Sequence, residues 1–292
     1  LDPKGIRDWN EEFQVVRDFP KDSVAQRAQR DRAITKIYND FLTAATAGAI
    51  AIVDGNIQPL NPNENKYQQV YVYNYIFFSF ALDCFDNFRD LSSTESNPSW
   101  TQSNHDMTGL RSLQILEIDK LCFLATTVVN YKGNRVIAQS IIPGILNNSD
   151  LASLAEYGTV DEQKTIKSEE QFHGMMKQVC DKMNIQVNKL VDGEGKEVEI
   201  AGCVEIKGIK GTDKRSYIVD LQGMTPRDAN FLGESNHTCL LRQELLILFQ
   251  RTKNFEYARS KMEEFEKLID AEKAERMPKI EEGAKPTEEQ KQ

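Results

Sequence analysis

Beginning at Ser23, the apolar residues Ile34, Ile37, Phe41 and Ala45 recur at spacings of 3, 4 and 4, the period of one face of an α-helix. Arg27, Arg30, Arg32 and Lys36 fall mostly on other faces, and Ser23 offers the side chain of a helix N-cap. The spacing predicts a helix from Ser23 through Ala45. Ala44, Ala45, Ala47, Gly48 and Ala49 add little bulk, which lets a neighbour pack closely. Ala49 to Val53 then predicts a buried strand, stopped by the turn pair Asp54-Gly55.

Residues 56–68 are rich in Asn, Pro and Gln and predict a loop. Val70 to Phe80, dense in aromatic and β-branched side chains, predicts a strand in a sheet interior, with a buried helix left open for its second half. The Ser, Asn, Thr, Pro and Gly of 90–108 predict a long surface loop. Ala125 to Asn130 and Arg135 to Ile142 flank Lys132-Gly133-Asn134, a turn suited to positive φ, and predict a hairpin. Glu169 to Met183 reads as a helix with Phe172, Met175, Met176, Val179 and Met183 on one face. A second β region follows: 185–191, a turn at 192–195, 198–209 and 216–221, ended by Thr225-Pro226-Arg227-Asp228.

From Leu240 the pattern turns helical again, first through Leu241, Leu245 and Leu248. Phe255, Ala258, Met262, Phe265 and Ile269 follow at spacings of 3, 4, 3 and 4. That seam is too short for a free coiled coil but long enough to dock on a partner helix. Beyond Met277 the Glu, Lys, Pro and Gln content predicts disorder. These elements predict an α+β fold: a hairpin-rich, mainly antiparallel sheet core flanked by N- and C-terminal helices. Its expected divisions are a leading segment at 1–22, the main domain at 23–250, a charged amphipathic helix at 251–276 and a disordered tail at 277–292.

Composition narrows the function classes. With 40% hydrophobic and 28% charged residues over 292 positions, most of the chain can fold around a core. The net charge is −9, of which −8 falls in residues 41–250, the wrong sign for a module held to nucleic-acid phosphates. A local basic patch remains compatible with RNA. The five cysteines are scattered and form no CxxC, so they read as reduced thiols of the cytosol or nucleus. The uncharged stretch Phe41 to Val53 is too short to span a bilayer, and no membrane insertion is expected. Opening on Leu1 without a leader pattern, the chain reads as a piece of something longer.

Few residues offer chemistry. His105 and His173 stand alone, and His237-x-Cys239 matches no closed zinc spacing. Phosphate-loop, dinucleotide, nucleophile-elbow and zinc-protease motifs are absent from the sequence. Glu169-Glu170 cannot flank one bond, because helix neighbours point about 100° apart, and reads as a helix start. Asp220, after the strand Tyr217-Ile218-Val219, occupies a place like that of the metal-binding Asp of kinase-like folds. With no glycine-rich phosphate loop upstream, it reads instead as an acid closing a turn. The most basic core stretch is Lys207 to Arg215, with Lys207, Lys210, Lys214 and Arg215. Joined by Lys132 and Arg135 of the hairpin, it is either a phosphate- or RNA-binding surface or a set of solvated turns.

Longer strings carry more information than these single residues. TVVNYKGNRVIAQSIIPGIL (127–146), YGTVDEQKT (157–165), VEIKGIKGTDKRSYIVDL (204–221) and TPRD (225–228) resemble the central Clu domain of the clustered-mitochondria (Clueless) proteins. RDWNEEFQ (7–14), DFLTAATAGAIAIVDGNIQPLNP (40–62), NYIFFSFALD (74–83) and LLRQELL (240–246) extend the likeness over about residues 7 to 250. The resemblance implies a cytoplasmic, non-enzymatic adaptor within a larger protein, without metal or cofactor. It implies binding to mRNA for mitochondrial proteins, association with ribosomes or initiation-factor complexes, and a part in distributing mitochondria. Protein partners are expected along the 254–270 helix. Departures occur at Lys214, where Asp-Gly-Arg is usual, at Gln222-Gly223-Met224 in place of Leu-Arg-Thr, and at Asn188 in place of a histidine. The acidic core points to a protein-docking or architectural platform; a direct RNA-binding surface is the alternative, and a kinase-like phosphotransferase a third.

Overall fold

The computed structural model describes residues 7–83, 98–147, 154–160, 165–203, 205–226, 228, 230 and 239–276. The expected loop over 90–97, the tail from 277 and His237 lie outside them. The chain forms two compact units, one to Leu240 and one from Leu241.

The first unit opens with helix α1 (Trp9–Arg17), capped by Asp8, whose carboxylate accepts the Glu11 N–H at 2.9 Å. Trp9, Phe13 and Val16 face inward and join the main core. Helix α2 (Val24–Val53) starts in a full capping box between Ser23 and Gln26. It runs straight through 49–53, so the predicted strand there is helix. Ala45, Ala49 and Ile52 simply continue the buried stripe of Ile37 and Phe41, and that period outweighs the strand propensity of a short apolar run.

Against α2 lies a four-stranded antiparallel sheet in the order β1-β2-β5-β4, where β1 is Val70–Tyr73, β2 Ile76–Phe80, β4 Thr126–Tyr131 and β5 Asn134–Ser140. The predicted hairpin of β4 and β5 forms, turning on Lys132 and Gly133 at φ 48° and 73°. Residues 70–80 are a hairpin, not one strand. Asn74 and Tyr75 both take positive φ (52° and 58°), leaving β1 at the sheet edge and β2 inside. Tyrosine is not a turn former; the indole of Trp9 in α1 helps hold this turn by donating to the Asn74 carbonyl at 2.9 Å.

A further correction concerns 98–108. These residues belong to helix α3 (Pro98–Leu116), whose buried positions are Ser103, Gly109, Leu110 and Leu113. Two of the four are small, so the inward face carries no apolar stripe to read. Gly109 is there for close approach: a Cβ would stand 2.4 Å from the Leu221 carbonyl oxygen.

The second sheet has the order β3-β11-β10-β6-β7, with β3 Leu121–Cys122, β6 Ala155–Val160, β7 Thr165–Ser168, β10 Lys207–Lys210 and β11 Ser216–Val219. Its β3–β11 pair is parallel and its other pairs antiparallel. Helix α4 (Glu170–Met183) packs Phe172, Met175, Met176, Val179 and Cys180 inward, and its N-cap Glu169 accepts the Phe172 N–H at 2.9 Å. A ribbon of β8 (Asn188–Val191) and β9 (Glu197–Ile200) follows. The predicted run 198–209 is broken between Ile200 and Lys207, where Gly202 takes φ 105°. Two fully buried tyrosines tie these parts together. Tyr157 accepts the Ala201 N–H at 2.8 Å, and burial pushes its phenol up to about 12. Tyr217 donates to Asp213 and accepts from Asn10 of α1, both at 2.7 Å.

The second unit is helix α5 (Gln243–Arg276). Side-chain ion pairs Lys253–Glu256, Arg259–Glu263 and Lys261–Glu264 run along it at 3.5, 3.2 and 2.7 Å. No helix among the described residues is long and apolar enough to cross a membrane.

Candidate functional site

The six basic candidates fall into separate places. Lys132, at the β4–β5 tip, is bound by Asp54 at the end of α2 (2.7 Å) and lies over its neighbour Tyr131. Arg135 at the start of β5 turns inward to α3. Its Nε donates to Ser103 Oγ at 2.7 Å, another donor reaches Asn104, and the guanidinium stacks 5.2 Å from the Trp100 ring.

Lys207 pairs with Asp220 across the open end of the β10–β11 hairpin at 3.1 Å. Arg215, at the closed end, is held by Glu11 of α1 and by Asp213, and the hydrogen bond to Glu11 is the main cause that raises its pKa against the cost of burial. Lys210 and Lys214 alone of the six have no polar partner for the ammonium among the described residues. Lys214 sits at φ 67°, a conformation that glycine meets without cost. That is a physical reason for the glycine expected at this turn.

The turn of 211–215 and the turn of 132–133 lie at opposite ends of β5. Thr212 N donates to the Pro143 carbonyl just beyond β5 (3.0 Å), while Lys132 precedes its first residue. Seven strand residues at about 3.3 Å each separate the two turns by roughly 20 Å.

A cleft of about 730 Å³ opens instead between the two sheets and α3. Its walls come from the 61–70 segment, Ser79 and Phe80 of β2, Gln102, Ser103 and Asp106 of α3, Ile137 and Gln139 of β5, and Val219, Asp220 and Gln222. Asp106 Oδ1 accepts the Leu221 N–H at 2.8 Å, which seats the 221–223 turn on α3. Asp220, in the left-handed region at φ 60°, stands beside it. Composition did not single out this site, because its polar residues come from five separated segments.

Asp220 therefore does face a cleft from a strand end. Yet β2 reads Ile-Phe-Phe-Ser-Phe, without the lysine that cradles phosphates in kinases. The described lining holds no Lys or Arg, and Asp220 is committed to Lys207. Among the described residues no three His, Cys, Asp or Glu side chains gather as metal ligands would.

Desolvation, together with the charge of Asp220, pushes the Asp106 carboxyl up to about 6 against the Leu221 hydrogen bond. The folded state thus holds a proton that the unfolded chain has released between about pH 4 and pH 6. Stability should fall as pH rises through that window, by on the order of 3 kcal/mol. Asp106→Asn keeps the acceptor for Leu221 and removes the charge. Urea titrations at pH 4.5 and pH 7.5 should show the variant more stable than the parent at the higher pH only.

These features define an α+β domain with dispersed, mostly self-paired basic residues and one acidic, amide-lined cleft. The chain belongs to the clustered mitochondria family: the family pattern described as "Clustered mitochondria" matches residues 8–231. It is similar to the clustered mitochondria protein homolog of Anopheles gambiae, 35% identical over 97% of this chain and 21% of that protein. The human homolog is 37% identical over 85% of this chain and 20% of its own length. Protein clueless of Drosophila willistoni is 37% identical over 85% and 18%. The chain thus spans about a fifth of the length of these relatives. No solved structure matches it.

Proposed function

We propose that this chain is a protein-docking and architectural platform within a cytoplasmic, mRNA- and ribosome-associated adaptor. That adaptor serves the distribution of mitochondria and the expression of mitochondrial proteins, without catalysis by this domain. The relatives' name, clustered mitochondria protein, supports the organelle role. The observation that carries the docking role is α5. Phe255, Met262, Phe265 and Leu268 are 72%, 65%, 65% and 67% exposed along it, a density of large apolar side chains that a partner would cover. The basic candidates favour docking over RNA tracking, since four of the six are spent on internal partners.

The test uses the whole chain. Anisotropy with a labelled single-stranded mRNA segment across a salt series is expected to give a Kd weaker than about 10⁻⁴ M at physiological salt. Phe255→Glu/Phe265→Glu should abolish co-sedimentation with ribosomal or initiation-factor complexes, while Lys207→Glu/Lys210→Glu/Lys214→Glu/Arg215→Glu should not. Tight, salt-steep RNA binding lost in the quadruple variant would establish the RNA-surface reading instead.

A further inference from the structure

The apolar seam of α5 carries a pattern of sizes and charges that says what covers it. At about 100° per residue, Phe255, Ala258, Met262, Phe265 and Ile269 fall within about 80° of the helix circumference. The first four are exposed and Ile269 partly so. Their sizes are uneven, with a single methyl at 258 and long or aromatic side chains at the others. A partner helix that fills this seam without voids must set a large side chain against Ala258 and an adaptable one against Phe265.

A second copy of α5 running antiparallel does both. In an antiparallel pair each layer joins different seam positions, whereas in a parallel pair each residue meets its own copy. Placing Met262 opposite the second copy's Phe265 sets Ala258 opposite the second copy's Ile269, and the two-fold axis repeats both layers. Methionine on an aromatic ring and a methyl on a branched aliphatic chain are complementary in volume. Parallel alignment would instead stack Phe265 on Phe265 and leave a gap where Ala258 meets Ala258.

Charge points to the same register independently. Arg259 and Glu266 stand on one flank of the seam, and this alignment brings the Arg259 of each copy to the Glu266 of the other. Glu266 has no ion-pair partner among the described residues. Arg259 meets Glu263 through Nε at 3.2 Å, which leaves the terminal nitrogens of its guanidinium for a second carboxylate. On the other flank the Lys261 stem lies over the second copy's Leu268, a residue exposed in the single chain.

We propose that α5 pairs antiparallel with α5 of a second copy of this chain, in this register. The pairing rests on the reading of α5 as a docking helix, names one occupant of it, and regulates it: a seam covered by a second copy is closed to other partners. Two heptads extend only about 21 Å along the axis, so the pair is reversible, with a Kd between about 10⁻⁶ and 10⁻³ M.

Sedimentation velocity of the whole chain over that concentration range should show monomer giving way to dimer. Phe265→Glu should leave monomer alone. Arg259→Glu places like charges at both flanking contacts, and so does Glu266→Arg; each variant by itself should dimerise at least about tenfold more weakly than the parent. Mixed in equal amounts, the two variants regain opposite charges at both contacts and should pair about as tightly as the parent, with helix content by circular dichroism unchanged throughout. A parallel pair, in which positions 259 and 266 do not meet, would leave both single variants unaffected and overturn the proposal. A mixture no tighter than either variant alone would also overturn it, as would dimers that persist in Phe265→Glu. Co-sedimentation with ribosomal or initiation-factor complexes separates this pairing from the docking reading. Arg259→Glu keeps the apolar seam, so it should co-sediment while staying monomeric. A parent that co-sediments yet remains monomeric throughout would overturn self-pairing alone, and a parent that does neither would overturn both.

Discussion

Replacing Gly158 with alanine is expected to cost the first unit more than about 3 kcal/mol, a large share of the roughly 5–15 kcal/mol that holds a domain folded. Gly158 lies in β6 at φ +91°, paired with Lys207 of β10 on one side and Lys167 of β7 on the other. A Cβ there would stand 1.6 Å from the Ile206 carbonyl oxygen and 2.8 Å from its carbon. That obstacle is backbone, so no rotamer change relieves it, and β10 must leave β6. Left-handed strain of about 1–2 kcal/mol adds to the overpacking.

Gly195 supplies the control. It too has positive φ, +83°, but nothing lies within 4 Å of its added Cβ. Gly195→Ala should therefore lose only about 1 kcal/mol. Both tryptophans of the chain, Trp9 and Trp100, belong to the first unit, so their fluorescence in a urea titration follows that unit alone. Equal losses at the two glycines would show that β6 and β10 do not approach as described.

The second large effect is expected at Phe13. Its side chain is 1% exposed, edge-on to Tyr38 of α2 and Phe123 at ring separations of 5.6 and 5.8 Å. Arg17, one turn on, caps Phe123 at 3.8 Å and donates to the Leu121 carbonyl. Gln14 donates to the Phe123 carbonyl at 2.9 Å. Phe13→Ala removes the centre of this contact and should cost about 3–5 kcal/mol, with a single transition seen by fluorescence and by circular dichroism. If α1 were merely laid on the surface, the loss would be under about 1 kcal/mol, and the Trp9 environment would change without moving the midpoint.

How much of this was legible beforehand depended on the range of the physics. Ser23 and Gln26 are three residues apart, and the capping box they form can be read from that spacing alone. The turn of Lys132-Gly133 and the face of α4 are equally local. Where the deciding partner is distant, reading failed. The 49–53 segment looks like a strand until Ala45, Ala49 and Ile52 are seen on one buried helical face. Residues 98–108 look like a loop because α3 buries Ser103 and Gly109 against neighbours far along the chain, one of them Leu221. Tyr75 turns at positive φ with Asn74, and Trp9, more than sixty residues earlier, fastens that turn.

The basic candidates teach the same lesson for function. Lys207 to Arg215 is conspicuous as a string, but Glu11, Asp213 and Asp220 neutralise half of it, and only folding brings Glu11 near. The cleft is the converse case, with Glu64, Asp106 and Gln222 inconspicuous where they stand in the chain.

By itself the sequence determined the family, through long strings of neighbouring residues, and the α+β class, through periods of two and of three to four. It also determined the acidic balance of the main unit, which is a sum and needs no geometry. Tertiary structure alone decided which charges are free, where the cavity lies, and which glycines cannot change. Each of those depends on a distance between residues that the covalent chain leaves unconstrained until the core has closed.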